Sequence, residues 1–277
     1  MRARQVSGRM FLTTMGPMHA RVDGPTHGPA IVLIHGFAGS VHWFDRVVAS
    51  LASDYRLIRV DLFGHGCTGG DRFLDANFQA RAVIDILEAL GLTDATIVGH
   101  SFGSDVALEA AESSSRITRV VLINQAPDLE SGHFPAGNAV MTIRWFAQLA
   151  RVCAVPALVS RIGHHAFADG FDARTGFNNP QQSFHDFTAT SAAMYRTVLI
   201  DRRRRLQNKP LDSLVRTIDK PVTVIHGRGD KFYDWEPTLA RYSTAGAHTV
   251  LIDNAGHSPN VEQPDEVSAV LRRASRA

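Results

Sequence analysis

Short apolar runs recur along the chain and alternate with stretches of helical spacing. Ala30-Ile-Val-Leu-Ile34 is a continuous apolar run, and Leu57–Val60, Thr96–Val98, Arg119–Ile123, Val222–Ile225 and His248–Ile252 have the same character. Their β-branched content and flanking Gly or Asp predict strands buried on both faces. Between them the period lengthens. Phe78, Val83, Ile86, Leu87 and Leu90 share one helical face, and Gly91 stands where such a helix would stop. Pro264, Asp265 and Glu266 suit a first helical turn, Val267, Val270 and Leu271 form an inward stripe, and Arg272 and Arg273 suit the negative end of the dipole. Strands alternating with helices predict an α/β fold, a mostly parallel open sheet flanked by helices.

The alternation lapses between Gln125 and about Arg216. This stretch holds Pro127, Pro135, Pro156, Pro180 and Pro210, helical patches and little strand character. An unstructured loop of that length is out of keeping with a compact domain, so the pattern predicts a helical insertion over one edge of the sheet. The expected organisation is a core of 1–124 and 217–277 interrupted by an insertion of 125–216.

Composition agrees with a globular protein, since 44% of the 277 residues are hydrophobic and 20% charged. The net charge of +2 gives no overall field for a nucleic acid or an anionic membrane. Cys67 and Cys153 are too few for a disulfide framework and lack metal-ligand spacing, which predicts reduced thiols. No apolar stretch of secretory length follows Arg2, Arg4 and Arg9, and Ala147–Val159 is too short and too interrupted to span a bilayer. The expectation is a cytoplasmic protein with a small-molecule partner and with no nucleic-acid or membrane partner. The oligomeric state is left open.

Chemistry concentrates at Gly99-His100-Ser101-Phe102-Gly103, which follows one predicted strand and opens a helical segment, Ser104 to Ala111. G-x-S-x-G in that context is a nucleophile elbow: the sharp turn needs glycines where side chains would collide, and it lifts the serine hydroxyl above the sheet. A neutral serine needs a base, itself held by an acid. His257 follows the strand His248–Ile252 on a tight loop, and Asp230 follows Val222–Ile225, so all three groups are expected at strand C-terminal ends. Asp128 and Asp234 stay open as alternative acids. An oxyanion hole needs two backbone N–H groups, expected from Phe102 and from Phe37 in the loop His35-Gly36-Phe37. His35 is expected to shape that loop.

These residues resemble the α/β-hydrolase fold superfamily over nearly the whole chain. The matching elements are His35-Gly-Phe37, Asp61-Leu-Phe-Gly-His-Gly66, Gly99-His-Ser-Phe-Gly103, Gly229-Asp230 and Gly256-His257. The resemblance implies that 125–216 is a cap roofing the site. Serine, where epoxide hydrolases and haloalkane dehalogenases carry Asp, argues against those activities. His100 and Ser258 depart from carbon–carbon bond hydrolases, which usually carry Asn and Trp there, whereas G-H-S-x-G matches serine esterases, lipases and thioesterases.

Gly64-His-Gly66-Cys-Thr-Gly69 also spells G-x-G-x-x-G, but it follows the wrong strand, and Glu88 near the required distance lies on a helix, so no nucleotide is expected. Trp43, Trp145, Arg144 and Arg196 are candidate substrate-binding residues, the tryptophans for an apolar group and the arginines for a carboxylate. Arg202–Arg205 reads as a solvated helix face, and His164-His165 has no partner at metal spacing. No metal and no cofactor are expected. The leading expectation is a serine hydrolase cleaving a carboxylic ester, lactone or thioester of a small hydrophobic or aromatic substrate. An acyltransferase or cyclase, a carbon–carbon bond hydrolase, and a ligand-binding protein on a hydrolase scaffold stay open.

Overall fold

The computed structural model describes residues 8–130, 132–134 and 138–276. Its strands are β1 (Arg9–Thr13), β2 (Gly16–Asp23), β3 (Ala30–Ile34), β4 (Arg56–Val60), β5 (Ala95–His100), β6 (Ile117–Ile123), β7 (Val222–Gly227) and β8 (His248–Ile252). They form one 8-stranded sheet in the order β1-β2-β4-β3-β5-β6-β7-β8. From β4 onward every pairing is parallel, while β1 and β2 form an antiparallel hairpin that joins β4.

Helices cover both faces. The first three are α1 (Asp45–Leu51), α2 (Ala76–Ala89) and α3 (Phe102–Ser113). Between β6 and β7 come α4 (Arg144–Val152), α5 (Pro156–Gly163), α6 (Ala173–Gly176), α7 (Gln182–Ala189), α8 (Ala192–Arg196), α9 (Arg202–Asn208) and α10 (Leu211–Thr217). The last are α11 (Trp235–Thr244), α12 (Pro259–Glu262) and α13 (Pro264–Ala274). The period of two in a strand sorts the core. Val32 and Ile34 face Val83, Ile86 and Val106 of α2 and α3, whereas Ile31 and Leu33 face Val47 and Leu51 of α1 and Val267 and Leu271 of α13.

The six expected strands are all present. The β1–β2 hairpin was not expected, because His19 and Arg21 interleave with Met18, Ala20 and Val22 and dilute the apolar signal of β2. Helix α2 stops at Gly91, which takes φ +67°. Phe78 is a correction: it is 39% exposed and meets the Phe73 ring at 5.5 Å, since it lies in the first turn, outside the buried stripe of Val83, Ile86 and Leu87. The run Arg202–Arg205 is another. Arg202 is buried on α9 and donates from Nε to Asp105 on α3 at 2.9 Å, and Arg205 pairs with the same carboxylate. A charge buried at Asp105 needs such partners, so half of the supposed solvated face is an internal ion pair. No helix among the described residues is long and apolar enough to cross a membrane.

Parallel register brings the functional ends together. Ile34 lies opposite Gly99, His100 opposite Ile123, Ile123 opposite Ile225, and Gly227 opposite Ile252. The loops after β3, β5, β6, β7 and β8 therefore emerge at one rim of the sheet.

Candidate active site

Ser101 stands between β5 and α3 with φ +51° and ψ −124°, a backbone conformation that non-glycine residues rarely adopt. The turn is held by the Ser101 N–H donating to the Ile123 carbonyl and the Ser104 N–H donating to the Ser101 carbonyl, both at 2.8 Å. A Cβ at Gly99 would strike the Gly103 backbone, and one at Gly103 would strike the Ile34 carbonyl. Both glycines are thus required by close approach.

His257 and Asp230 meet this serine. The Ser101 hydroxyl lies 2.9 Å from His257 Nε2, and His257 Nδ1 lies 2.9 Å from Asp230 Oδ2. With an ionised Asp230 as acceptor, Nδ1 carries the proton and donates, which leaves Nε2 to accept from the serine. Burial alone would raise the Asp230 carboxyl, but the neighbouring His257, then His226 and the Asn124 amide, outweigh it and bring the pKa down to about 2. Asp230 Oδ1 also accepts from the Phe232 N–H at 2.7 Å. The alternative acids are occupied elsewhere: Asp128 pairs with Arg241, and Asp234 lies 2.9 Å from His133.

Phe102 directly follows the serine in the chain, and Phe37 directly follows Gly36. Phe102 is the first residue of α3, and neither its N–H nor that of Phe37 has an acceptor among the described residues. A Cβ on Gly36 would come within 2.9 Å of Ser101 Cβ, so this glycine lets the 35–37 backbone lie against the serine. His35 Nε2 accepts from the Leu62 N–H at 3.1 Å, and its Nδ1 donates to the Gly36 carbonyl at 2.7 Å. Burial lowers its pKa, so a neutral ring pins the loop as expected.

Several supporting residues were not anticipated. Asn124, at φ +46° after β6, donates to Asp230 Oδ2 at 2.8 Å and to the Gly256 carbonyl at 3.0 Å, and accepts from the Gly227 N–H. His100 donates from Nε2 to the His257 carbonyl at 2.8 Å, and burial with the nearby His257 lowers its pKa to about 3, so it stays neutral. Glu262 accepts from the N–H groups of Gly256, Ser258 and Ala168, bracing the loop around His257. The Phe232 ring meets His257 edge-on at 4.8 Å, and Tyr233 lies 5.8 Å from it. A polar residue just after β6 was the only sequence signal for Asn124.

The four candidate substrate-binding residues fall elsewhere. Trp43 is a buried strut, stacked on His100 at 5.5 Å with its indole N–H on Asp186. Trp145 is 68% exposed on α4 and points to solvent, because the inward face of that helix carries Ala147. Arg144 and Arg196 line a surface cleft of about 310 Å³ with Asp71, Phe73 and Thr142, and Ser101, His257 and Asp230 are not part of its wall. Each has an acid of its own, Asp71 for Arg144 and Asp201 for Arg196.

His19, Asp61 and Cys67 bring potential metal-ligand atoms within 4.8 Å of one another. The Asp61 carboxylate already accepts from His19 Nδ1, the Cys67 N–H and the Val41 N–H, so the protein's own donors satisfy it.

Proteins similar to this chain in sequence or fold include two named esterases. The Magnesium-chelatase 30 kDa subunit of Rhodobacter capsulatus is 29% identical over 221 residues, 75% of this chain and 73% of that protein. Esterase YbfF of Escherichia coli (strain K12) is 27% identical over 257 residues, 88% of this chain and 91% of its own. The crystal structure of esterase RhEst1 from Rhodococcus sp. ECU1013 superposes with a TM-score of 0.72 at 25% identity, covering 98% of this chain and 99% of that one. The sequence matches the model of the Alpha/beta hydrolase family across residues 31–270, and the chain belongs to that family.

Proposed function

We propose that the chain is a serine hydrolase that cleaves a carboxylic ester, lactone or thioester of a small hydrophobic or aromatic substrate through an acyl-enzyme on Ser101. The observation that carries this reading is the unbroken relay from Asp230 through His257 to Ser101, with both links at 2.9 Å. Ser101 Oγ attacks the carbonyl carbon as its proton passes to His257 Nε2, and ionised Asp230 stabilises the imidazolium. The Phe37 and Phe102 N–H groups receive the oxyanion, each such donor being worth about 3–4 kcal/mol. Collapse breaks the C–O or C–S bond, and His257 returns the proton to the departing alcohol or thiol. Water then loses a proton to His257 and attacks the acyl carbon, and as the C–Oγ bond breaks His257 returns that proton to Ser101 Oγ and the carboxylic acid is freed.

Two of the relatives above are named esterases, which supports ester cleavage. Residues 125–216 serve in this proposal as the cap. The edge contact between Phe37 and Tyr195 of α8, at 4.9 Å, supports an apolar lining beside the oxyanion donors.

Intact mass after treatment with a small serine-directed phosphonate tests the reading. One adduct on the parent and none on Ser101→Ala is expected, with ester turnover falling about 10⁴–10⁶-fold in a folded variant. Undiminished ester cleavage by Ser101→Ala would overturn it. A second reading, a ligand-binding protein on the same scaffold, draws on the relative named as a magnesium-chelatase subunit. Its signature is negligible turnover in the parent and ligand binding that survives Ser101→Ala.

A further inference from the structure

Helix α4 is mounted with its apolar stripe outward. At ~100° per residue, Trp145, Leu149 and Val152 fall within ~60° of arc, and Ala147 lies on the opposite side. The three stripe residues are 68%, 51% and 74% exposed, whereas Ala147 is the buried one. Val155, just before α5, and Leu158 and Ile162 on it continue the pattern, each more than half exposed. Both helices pack against α7. Single exposed apolar residues are ordinary, but six on the outer faces of two consecutive helices and the turn between them mark a contact surface.

The charge carried by this stretch of chain itself is one-sided. Residues 131–168 contain no Asp or Glu, and they carry Arg144, Arg151 and Arg161 with His133, His164 and His165. Arg144 and Arg151 sit on one flank of the α4 stripe. Arg144 reaches Asp71 in an exposed pair, Arg151 donates to the Thr188 carbonyl, and Arg161 has no partner among the described residues. Exposed pairs of this kind are weak and yield to a competing anion.

We infer that α4 and α5 form a docking face for an anionic phospholipid surface, with the apolar stripe entering the boundary between headgroups and acyl chains and the arginines meeting lipid phosphates. A second copy fits poorly: two-fold pairing of identical faces would set arginine against arginine, with no acid on either helix to receive them. The expectation of no membrane partner rested on a whole-chain charge of +2 and on the lack of a spanning segment, and neither bears on a peripheral contact. The docking face is also one layer from the site. Ala147 packs with Ala192 and Tyr195, and Tyr195 meets Phe37. Docking rests on the exposed face alone and does not require Ser101 to be a nucleophile.

The test is co-sedimentation of the full chain with vesicles of phosphatidylcholine alone and of phosphatidylcholine and phosphatidylglycerol in equal parts. Binding to the anionic vesicles is expected, falling with added salt, and L149S/L158S/I162S is expected to weaken it at least tenfold. The substituted residues are solvent-exposed, circular dichroism checks the fold, and cleavage of a soluble short-chain ester should be unchanged. Absence of binding to anionic vesicles, equal binding to phosphatidylcholine, or binding unaffected by the triple variant would each overturn the inference. So would a dimer in sedimentation velocity that the triple variant abolishes, or capture of an acidic carrier protein in place of vesicles.

Discussion

Asp186 lies buried against the core, where its carboxylate accepts from the Trp43 indole N–H and from the Gln182 side chain, both at 2.8 Å. Trp43 stacks on His100, and His100 holds the His257 carbonyl, so this carboxyl on α7 steadies the loop of His257. Burial raises its pKa to about 7, against the hydrogen bonds that favour the ion. The folded state therefore keeps a proton that the unfolded chain releases. As pH rises from the ordinary carboxylate range to about 7, stability should fall by a few kcal/mol and then level off. Asp186→Asn should flatten that slope in thermal melts run across the window; an unchanged slope would refute the assignment. Residues such as these were illegible in the sequence. Ser101, His257 and Asp230 announced themselves through a motif and a fixed chain order, but Asn124 and Asp230 are 106 positions apart and Trp43 and Asp186 are 143. Only the folded register makes such residues neighbours.

Among the elements, α9 shows how the stretch between β6 and β7 is tied to the core. Arg202 and Arg205 reach across to Asp105 in the first turn of α3, and the Gln125 amide donates to the same carboxylate at 2.7 Å. Removing one partner from a buried pair leaves charge without compensation. Arg202→Ala should therefore cost about 3 kcal/mol in urea unfolding, the low end of the usual range because Arg205 remains. Arg202→Met combined with Asp105→Leu should recover most of that loss. If the single variant unfolds at the parent's midpoint, the pair is not a structural tie. The buried parallel strands were readable because both of their faces demand apolar residues. The hairpin was not, since Leu12 in β1 is 86% exposed and polar residues break up β2. The arginine run misled for a related reason: composition cannot tell a charge facing water from one facing a buried acid.

For the whole molecule, the rim where β3, β5, β6, β7 and β8 end gathers the hydrogen-bonded relay, while the sheet and its two apolar layers supply the rigidity that holds it. The turn at Ser101 makes no contribution to that rigidity. A non-glycine residue at φ +51° and ψ −124° costs about 1–3 kcal/mol, a real fraction of the ~5–15 kcal/mol by which folded chains outlast unfolding. Glycine tolerates this conformation and alanine does not, so Ser101→Gly should be more stable than Ser101→Ala by about 1 kcal/mol in thermal or urea unfolding. Equal stability of the two would mean that the turn carries no strain. On the proposed function the sturdier sequence is an inactive one, and selection for turnover is what would keep a serine there; a copy of this chain released from that selection would be free to drift toward greater stability and silence.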